Sequence, residues 1–238
     1  MSAATLKLIR KLKQKKYRYK HELFIAEGIK VVQELLAEGL QPVHFFSVST
    51  DVSIKNLTPE LLSDKEMKEL SSLSTPPGLL AVFPFPHASV KESNFCLVLD
   101  GVTDPGNLGT IIRTADWFGV HKIIAIEGTT DCFNAKCVQS TMGSLARVEV
   151  VYLSRENALS NLKGYNLFGA DMEGIDVASY TPSAAAKTAL VMGSESHGYD
   201  PFWDAYVEKI TIPRAENSKT ESLNVAVATS ILLSFLSR

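Results

Sequence analysis

Apolar residues along the chain alternate between helical and strand-like spacing. The first half contains four such segments, which lie at 29–36, 43–48, 64–73 and 79–83. This alternation is typical of an α/β unit. Residues 84–89 (Pro-Phe-Pro-His-Ala-Ser) interrupt it, because proline can continue neither a helix nor a central strand. We therefore predict a domain boundary at 84–94.

The second half predicts a larger α/β domain. Its first segment, 95–99, is a continuous apolar run of the kind found in strands covered on both faces. A turn at 104–107 then opens a helix. Five more strand candidates follow, at 122–126, 148–153, 166–170, 188–192 and 208–212. We predict a mainly parallel sheet, and two domains that span residues 1–88 and 95–238.

Composition excludes several classes of protein. With 45% apolar residues among 238, the chain is not disordered throughout. No apolar run approaches the roughly 18 residues that a membrane helix needs, so we expect a cytoplasmic protein that does not bind membranes. The three cysteines (Cys96, Cys132 and Cys137) form no CxxC pair, and the five histidines form no HExxH motif. We therefore expect neither a disulfide framework nor a metal site.

Charge is distributed unevenly along the chain. Residues 1–94 carry 13 Lys/Arg and 10 Asp/Glu, whereas residues 95–238 carry 11 and 16. The first 20 residues contain eight basic side chains and no acid, with two tyrosines among them. Such a segment can neutralise phosphates and stack on bases, but it is equally typical of a solvated helix face. The candidate RNA-binding residues are Arg10, Lys11, Lys13, Lys15, Lys16 and Arg18.

Three polar motifs follow predicted strands. They occupy residues 107–115, residues 190–198, and residues 210–213 with 222–228. The carboxyl ends of parallel strands meet at one edge of a sheet, where ligands commonly bind. We therefore expect the three motifs to meet there.

Each motif also has a purely structural interpretation. A side chain that accepts a backbone N–H can begin a helix, and glycine can serve a tight turn alone. On this interpretation Asn107 caps its own helix, and the last helix is capped either by Ser218 with Glu221 or by Ser222 alone. Arg113 would pair with Asp116 on the helix surface, and Glu195 would be a solvated side chain. Gly193 and Gly198 would serve only as turn residues. No single motif decides the function.

Together, the order and spacing of the motifs resemble those of the SpoU (TrmH-like) RNA 2′-O-ribose methyltransferases of the SPOUT class. This resemblance covers about residues 95–238. Residues 24–28 (Phe-Ile-Ala-Glu-Gly) and 77–82 (Pro-Gly-Leu-Leu-Ala-Val) resemble the family's substrate-binding domain. The family implies a deep trefoil knot around motifs two and three that binds S-adenosylmethionine in a bent form. It also implies a homodimer that packs through the helix after motif one and the C-terminal helix.

The resemblance also implies roles for individual residues. Arg113 matches the catalytic arginine. The other polar active-site positions fall on Asn107, Glu195, Ser222 and Asn224, and the cofactor-contacting positions fall on Gly193, Ile212 and Leu223. An arginine is effectively always protonated, so two roles remain open for Arg113. A substrate phosphate can assist deprotonation beside it, or its guanidinium can clamp the phosphate and stabilise the developing alkoxide. We favour the clamp.

One segment departs from the family pattern. Between Pro213 and Ser222 the chain is two residues longer than the usual family loop and lacks its glycine. Arg214 and Lys219 in this loop could add phosphate contacts, although a neutral insertion is equally compatible with the sequence.

The sequence thus predicts an S-adenosylmethionine-dependent 2′-O-methyltransferase of ribosomal or transfer RNA, with ribosomal RNA favoured. Two alternatives stay open. In the first, the chain is a non-catalytic RNA-binding or ribosome-associated protein that keeps the fold but has lost the cofactor. In the second, a related knotted enzyme methylates a base nitrogen.

Overall fold

The computed structural model describes residues 2–54, 57–86, 94–181 and 186–237. Two compact units are present. One contains residues 1–88 with 131–147, and the other contains 89–130 with 148–238. The predicted division into two continuous segments, 1–88 and 95–238, therefore differs at residues 131–147. Most of the predicted boundary at 84–94 lies outside the described residues, because 87–93 are not described.

Helices and a mixed sheet build the first unit. Within the described residues the strand order is β1-β4-β2-β3, and β4 is antiparallel to both of its neighbours. β3 is a short strand parallel to β2. The elements are α1 (Ala3–Lys11), α2 (Lys15–His21), β1 (Leu23–Glu27), α3 (Ile29–Ala37), β2 (His44–Ser47), β3 (Glu60–Leu61), α4 (Asp64–Leu70) and β4 (Leu79–Pro84).

The core of this unit follows from the apolar pattern. Residues from α1, the sheet and α4 form one cluster, which includes Ile9, Ile25, Phe46, Met67 and Leu80. α4 begins with a capping box. The Ser63 hydroxyl accepts from the N–H of Glu66, whose carboxylate accepts from the N–H of Ser63.

A segment that lies far along the chain completes the first unit. Residues 131–147 contain α5 (Ala135–Thr141) and a 3-10 helix, Ser144–Ala146. Asp131 is buried, and its Oδ2 accepts from Nε and Nη2 of Arg18 at 2.9 and 2.5 Å. The hydroxyl of Tyr19 donates to Oδ1 at 3.1 Å. Burial, followed by the negative charge of Asp131, raises the pKa of Tyr19 above its ordinary value.

This arrangement corrects one predicted RNA contact. Arg18 is only 5% exposed, and its Nη1 also donates to the carbonyls of Leu12 and Lys13 at 2.9 Å. Its guanidinium is committed to the interior and cannot meet a phosphate in this fold. Two further basic residues have partners within the unit: Arg10 pairs with Glu69, and Lys13 donates to the carbonyl of Ser71 at 2.6 Å.

The second unit is built on a parallel sheet. Within the described residues its strands lie side by side in the order 208–211, 166–176, 188–192, 95–99, 122–126 and 149–153, and every pairing is parallel. The predicted α/β fold with a mainly parallel sheet is confirmed. The elements are β5 (Phe95–Leu99), α6 (Pro105–Trp117), β6 (Lys122–Ile126), β10 (Glu149–Leu153), α7 (Arg155–Asn161), β7 (Asn166–Asp176), β8 (Thr188–Met192), β9 (Glu208–Thr211) and α8 (Val225–Leu236).

Chain direction in this sheet brings the motifs together. From β5 the chain proceeds outward on one side through β6 to β10, and then crosses to the other side for β7, β8 and β9. Motifs one, two and three follow β5, β8 and β9. Because β8 pairs with β5, the first two motifs leave the sheet from neighbouring strands at the same edge.

One strand is longer than predicted. Residues 166–170 were expected to be a strand, but β7 continues to Asp176. Its pairing with β9 shifts register, so that Lys209 pairs with Gly169 while Ile210 pairs with Ile175. The pairing of the two strands is therefore irregular at residues 170–174, which lie between these two paired positions.

In the part of the chain that the structure describes, no helix is long and apolar enough to cross a membrane. The same residues contain no group of three or more His, Cys, Asp or Glu side chains arranged to hold a metal ion. The three cysteines are buried, and none of them forms a disulfide.

We expect Arg18→Gln to destabilise the protein by about 3 to 5 kcal/mol, because it leaves the buried Asp131 carboxylate without its partner. Urea unfolding followed by circular dichroism measures this change. Arg10→Gln is the matched control, since it breaks the exposed pair with Glu69 and should cost less than about 1 kcal/mol. Equal unfolding midpoints for the two variants would contradict the structural role of Arg18.

Candidate active site

A single carboxylate oxygen joins the three motifs. Oε1 of Glu195, in motif two, accepts from Nδ2 of Asn107 at 3.0 Å and from Nδ2 of Asn224 at 2.6 Å. It also accepts from the backbone N–H of Val225 at 3.2 Å. Asn224 Nδ2 lies 3.1 Å from Oδ1 of Asn107, which closes the triangle. Three predicted site residues, 88 and 29 positions apart along the chain, are thus hydrogen-bonded to one another.

Asn107 is free for this role because another residue begins its helix. The side chain of Asp104 caps α6 and accepts from the N–H of Asn107 at 2.9 Å. Pro105 fills the first helical position, where a missing N–H costs nothing. The structural interpretation of Asn107 as a helix cap is therefore wrong.

Asn224 does cap a helix, and it does so while holding Glu195. Its Oδ1 accepts from the N–H groups of Ala226 and Val227 at 3.0 and 3.3 Å, at the start of α8. The alternatives in which Ser218 or Ser222 caps this helix are therefore wrong. The amide oxygen of Asn224 accepts from the start of α8 while its amide nitrogen donates to Glu195, so this one side chain links the helix to motif two.

A cavity of about 690 Å³ lies beside this network. Its walls come from residues 170–172, from the whole of 193–199, from 209–215, and from residues that precede and enter α8. Five predicted site residues line it, namely Gly193, Glu195, Ile212, Ser222 and Leu223. The volume is in the range of small-molecule and cofactor sites.

Gly193 has a steric reason to be glycine. A Cβ at this position would lie 1.9 Å from the carbonyl carbon of Gly198 and from the nitrogen of Tyr199. The chain folds back on itself in a tight turn here, and Ser194 and Gly198 exchange backbone hydrogen bonds of 2.9 and 3.1 Å. The protein's own backbone makes this close approach, which agrees with the interpretation of Gly193 as a turn residue.

The long loop of motif three forms part of the cavity wall. Nη1 of Arg214 donates to the carbonyl of Thr220 at 3.3 Å, and the N–H of Ser218 donates to the carbonyl of Ala215 at 3.0 Å. These bonds close the loop on itself. Arg214 lines the cavity, whereas Lys219 is exposed and does not.

Sequence reasoning missed a charged cluster at the cavity wall. Nζ of Lys209 lies 2.8 Å from Oδ2 of Asp171 and 3.8 Å from Oδ1 of Asp204, and all three residues line the cavity. The hydrogen bond to Asp171 raises the pKa of Lys209. Burial alone would raise the pKa of Asp171, but the hydrogen bonds it accepts from Lys209 and from the backbone lower it below its usual range. Both groups are therefore charged at neutral pH.

The sequence offers a weak signal for this cluster. Lys209 is a charged residue inside a predicted strand, and Asp171 immediately follows one. Tyr199 lies beside the cluster, and burial raises the pKa of its hydroxyl. The tyrosine therefore stays protonated under physiological conditions.

Arg113 lies apart from the cavity. It is exposed on α6, and among the described residues it makes no hydrogen bond or ion pair and lines no part of the cavity. The alternative pairing with Asp116 is therefore not formed. α6 packs against α8, where the hydroxyls of Thr114 and Ser230 lie 3.3 Å apart.

Chemically, the arrangement suits a ligand with both apolar and polar parts. Met192, Ile212, Leu223 and Leu232 supply apolar walls for a flat ring, and the loop 193–199 offers backbone groups and a carboxylate. S-adenosylmethionine has an adenine ring, a ribose and a charged methionine end, so the residues present fit it.

Comparison with known families covers almost the whole chain. A sequence model of the SpoU rRNA methylase family matches residues 94–234. A second family, the MRM3-like substrate binding domain, matches residues 3–81.

Relatives of known name resemble the chain over most of its length. The 23S rRNA (guanosine(2553)-2′-O)-methyltransferase RlmP of Bacillus subtilis is 32% identical over 235 residues, which cover 94% of this chain and 92% of that protein. The 23S rRNA (guanosine-2′-O-)-methyltransferase RlmB of Blochmanniella floridana is 35% identical over 199 residues, 77% of this chain and 75% of its own.

Solved structures agree with this result. The S-adenosylmethionine-bound rRNA methyltransferase of Sinorhizobium meliloti has a TM-score of 0.81 at 29% identity, and the match covers 98% of this chain and 94% of that one. A TrmH-family structure from Porphyromonas gingivalis has a TM-score of 0.84 at 35% identity and covers 98% and 97%. These matches confirm the family predicted from the three motifs, and the chain belongs to the SpoU rRNA methylase family.

Proposed function

We propose that this protein transfers a methyl group from S-adenosylmethionine to a ribose 2′-hydroxyl of large-subunit ribosomal RNA. The observation that carries this proposal is the hydrogen-bonded junction of Asn107, Glu195 and Asn224 beside a cofactor-sized cavity. The comparisons confirm the predicted enzyme class and cofactor. Because the named relatives act on guanosine in 23S rRNA, we infer the same nucleoside here, in the cytoplasm.

S-adenosylmethionine supplies an electrophilic methyl group on a sulfonium. The protein must hold the 2′-oxygen in line with that methyl and help it lose a proton. Backbone groups of Gly193, Ile212 and Leu223 would hold the adenosine part. Glu195, Ser222 and Asn224 would orient the ribose and the methionine end.

Arg113 would act on the RNA. Its exposed guanidinium makes no ion pair with the described residues, so it is available to a phosphate. A permanently charged group beside the reacting ribose would clamp that phosphate and stabilise a developing alkoxide. This position favours the clamp over a role as general base.

We infer that the protein works as a homodimer. α6 and α8 pack together, and each leaves an apolar side chain exposed: Trp117 is 85% exposed and Val227 is 48% exposed. Large apolar side chains exposed on paired helices are typical of an association surface. A second copy seated on these helices would also bring another subunit close to Arg113.

We further propose that the loops around motifs two and three form the trefoil knot of the family. The two loops lie together, since residues 193–199 and 209–215 line one cavity, and this supports the proposal. The knot would hold both loops in place and so shape the cavity before the cofactor arrives.

The first unit would bind the RNA substrate. Lys15, Lys16 and Lys20 are exposed on α2, and Lys11 and Lys15 lie over the rings of Tyr17 and Tyr19 at 5.0 and 5.5 Å. These rings are thus already covered by the protein's own cations. We infer that the segment contributes mainly charge, and that it contacts phosphates.

The non-catalytic alternative is not favoured. The lengthened loop of motif three closes on itself and keeps its place in the cavity wall, so it does not fill the cavity. The alternative of base methylation differs in its product, because the modified nucleoside then carries the methyl group on a base nitrogen instead of the ribose 2′-oxygen.

We expect the protein to transfer labelled methyl from S-adenosylmethionine to unmodified 23S rRNA, and nuclease digestion to yield 2′-O-methylguanosine. Arg113→Ala should lose at least about a hundredfold in rate while its unfolding midpoint is unchanged, because Arg113 is exposed and unpaired. A methylated base would overturn the ribose assignment, and wild-type rates for Arg113→Ala would overturn the clamp.

Asn224 offers a second test, since two substitutions separate its two roles. Asn224→Ser keeps an oxygen that caps α8 but removes the amide donors to Glu195 and Asn107. We expect near wild-type stability and methyl transfer slower by about tenfold to a hundredfold. Asn224→Ala should be as slow and also less stable, by about 1 kcal/mol. Full activity of Asn224→Ser would show that the network is not needed for the reaction.

The role of α2 can be tested by charge removal. Lys16→Gln with Lys20→Gln should weaken RNA binding and lower the slope of log affinity against log salt concentration by about 1 for each phosphate that is no longer neutralised. Lys65→Gln with Lys68→Gln, on exposed positions of α4, removes the same charge from the same unit. An equal decrease in affinity in both double variants would indicate a general charge effect and contradict a specific surface on α2.

A further inference from the structure

A buried carboxylate outside the cavity ties down the loop that lines it. Asp100 follows β5 directly and is 4% exposed. Its carboxylate accepts from Nε and Nη2 of Arg155 at 2.9 and 3.0 Å, and from Nε1 of Trp203 at 2.9 Å. Trp203 is fully buried, so its indole N–H would have no comparable partner without this carboxylate.

The same residue holds both ends of the motif-two loop, residues 193–199. At the start of the loop, the N–H of Asp100 donates to the carbonyl of Met192 at 2.8 Å. At its end, the N–H of Asp200 lies 3.4 Å from Oδ2 of Asp100. Asp200 also pairs with Nη2 of Arg155 at 3.2 Å and caps the 3-10 helix Pro201–Ala205, which contains Trp203.

All seven residues of the motif-two loop line the cavity, whereas Asp100, Arg155 and Trp203 do not. Asp100 can therefore act on a bound molecule only indirectly, and its hydrogen bonds at Met192 and Asp200 reach both ends of the loop. The loop also carries Glu195, so its position decides whether the carboxylate reaches Asn107 and Asn224.

We propose that Asp100 is a positioning residue for methyl transfer, which holds the motif-two loop in the shape that binds S-adenosylmethionine. This inference rests on the proposed function. Because the loop is anchored at both ends before any ligand binds, removal of an anchor weakens cofactor binding more than it slows the transfer from bound cofactor.

Two substitutions test this role, with one matched control. Asp100→Asn places an amide against the donors of Arg155 and Trp203. Trp203→Phe keeps the ring and removes only the N–H that Asp100 accepts. Tyr152→Phe is the control. It also removes one hydrogen-bond donor from an aromatic side chain of the second unit, namely the Tyr152 hydroxyl that donates to the carbonyl of Thr130 at 2.7 Å. Neither Tyr152 nor Thr130 belongs to the motif-two loop.

Calorimetry with S-adenosylmethionine and steady-state kinetics at saturating cofactor measure the outcome. We expect Trp203→Phe to raise Kd by about tenfold, the effect of removing one hydrogen bond to a charged group, and to change kcat by less than about threefold. Asp100→Asn should raise Kd further, and Tyr152→Phe should leave it unchanged.

Unchanged Kd for Trp203→Phe would overturn the inference, even if the variant unfolds more easily. An equal rise in Tyr152→Phe would also overturn it, because the effect would then be general. If Asp100→Asn does not fold, Trp203→Phe decides alone. Failure of the wild-type protein to bind S-adenosylmethionine would instead overturn the proposed function.

Discussion

One carboxylate oxygen of Glu195 holds the candidate active site together. Three parallel strands deliver Asn107, Glu195 and Asn224 to the same edge of the sheet, but parallel strands alone do not set distances between loop side chains. The oxygen does so by accepting three donors, one of which is the N–H of Val225 at the start of α8. A negative charge is favourable at that end of a helix. The junction therefore stabilises α8 and joins the motifs through the same contacts.

Sequence patterns predicted the strands well where packing determines them. The strands at 122–126 and 188–192 match to the residue, because each is a short apolar run bounded by turn residues. The extension of β7 to Asp176 was not predictable in this way, since its last residues are largely polar and partly exposed. The place of residues 131–147 in the first unit depends on pairs such as Arg18 with Asp131, 113 positions apart, which leave no periodic signal.

Some residues of the candidate site could be predicted from the sequence, and others could be found only in the folded structure. Asn107, Glu195 and Asn224 were predictable because they belong to motifs of fixed order, and the choice between cap and site needed atomic positions. The structure assigns the caps to Asp104 and Asn224. The pair of Lys209 and Asp171 joins two strands that are neighbours only in the folded sheet. A basic run likewise cannot reveal which of its members is buried.

Two buried carboxylates use similar chemistry in the two units. Asp131 accepts from an arginine and a tyrosine hydroxyl, and Asp100 accepts from an arginine and an indole N–H. Buried ion pairs add little net stability compared with apolar packing, because desolvation opposes the attraction, but each demands one geometry. At Asp131 that geometry places a distant segment within the first unit. At Asp100 it anchors a loop whose every residue lines the cavity, so a charge outside the cavity helps to hold the cavity wall in place.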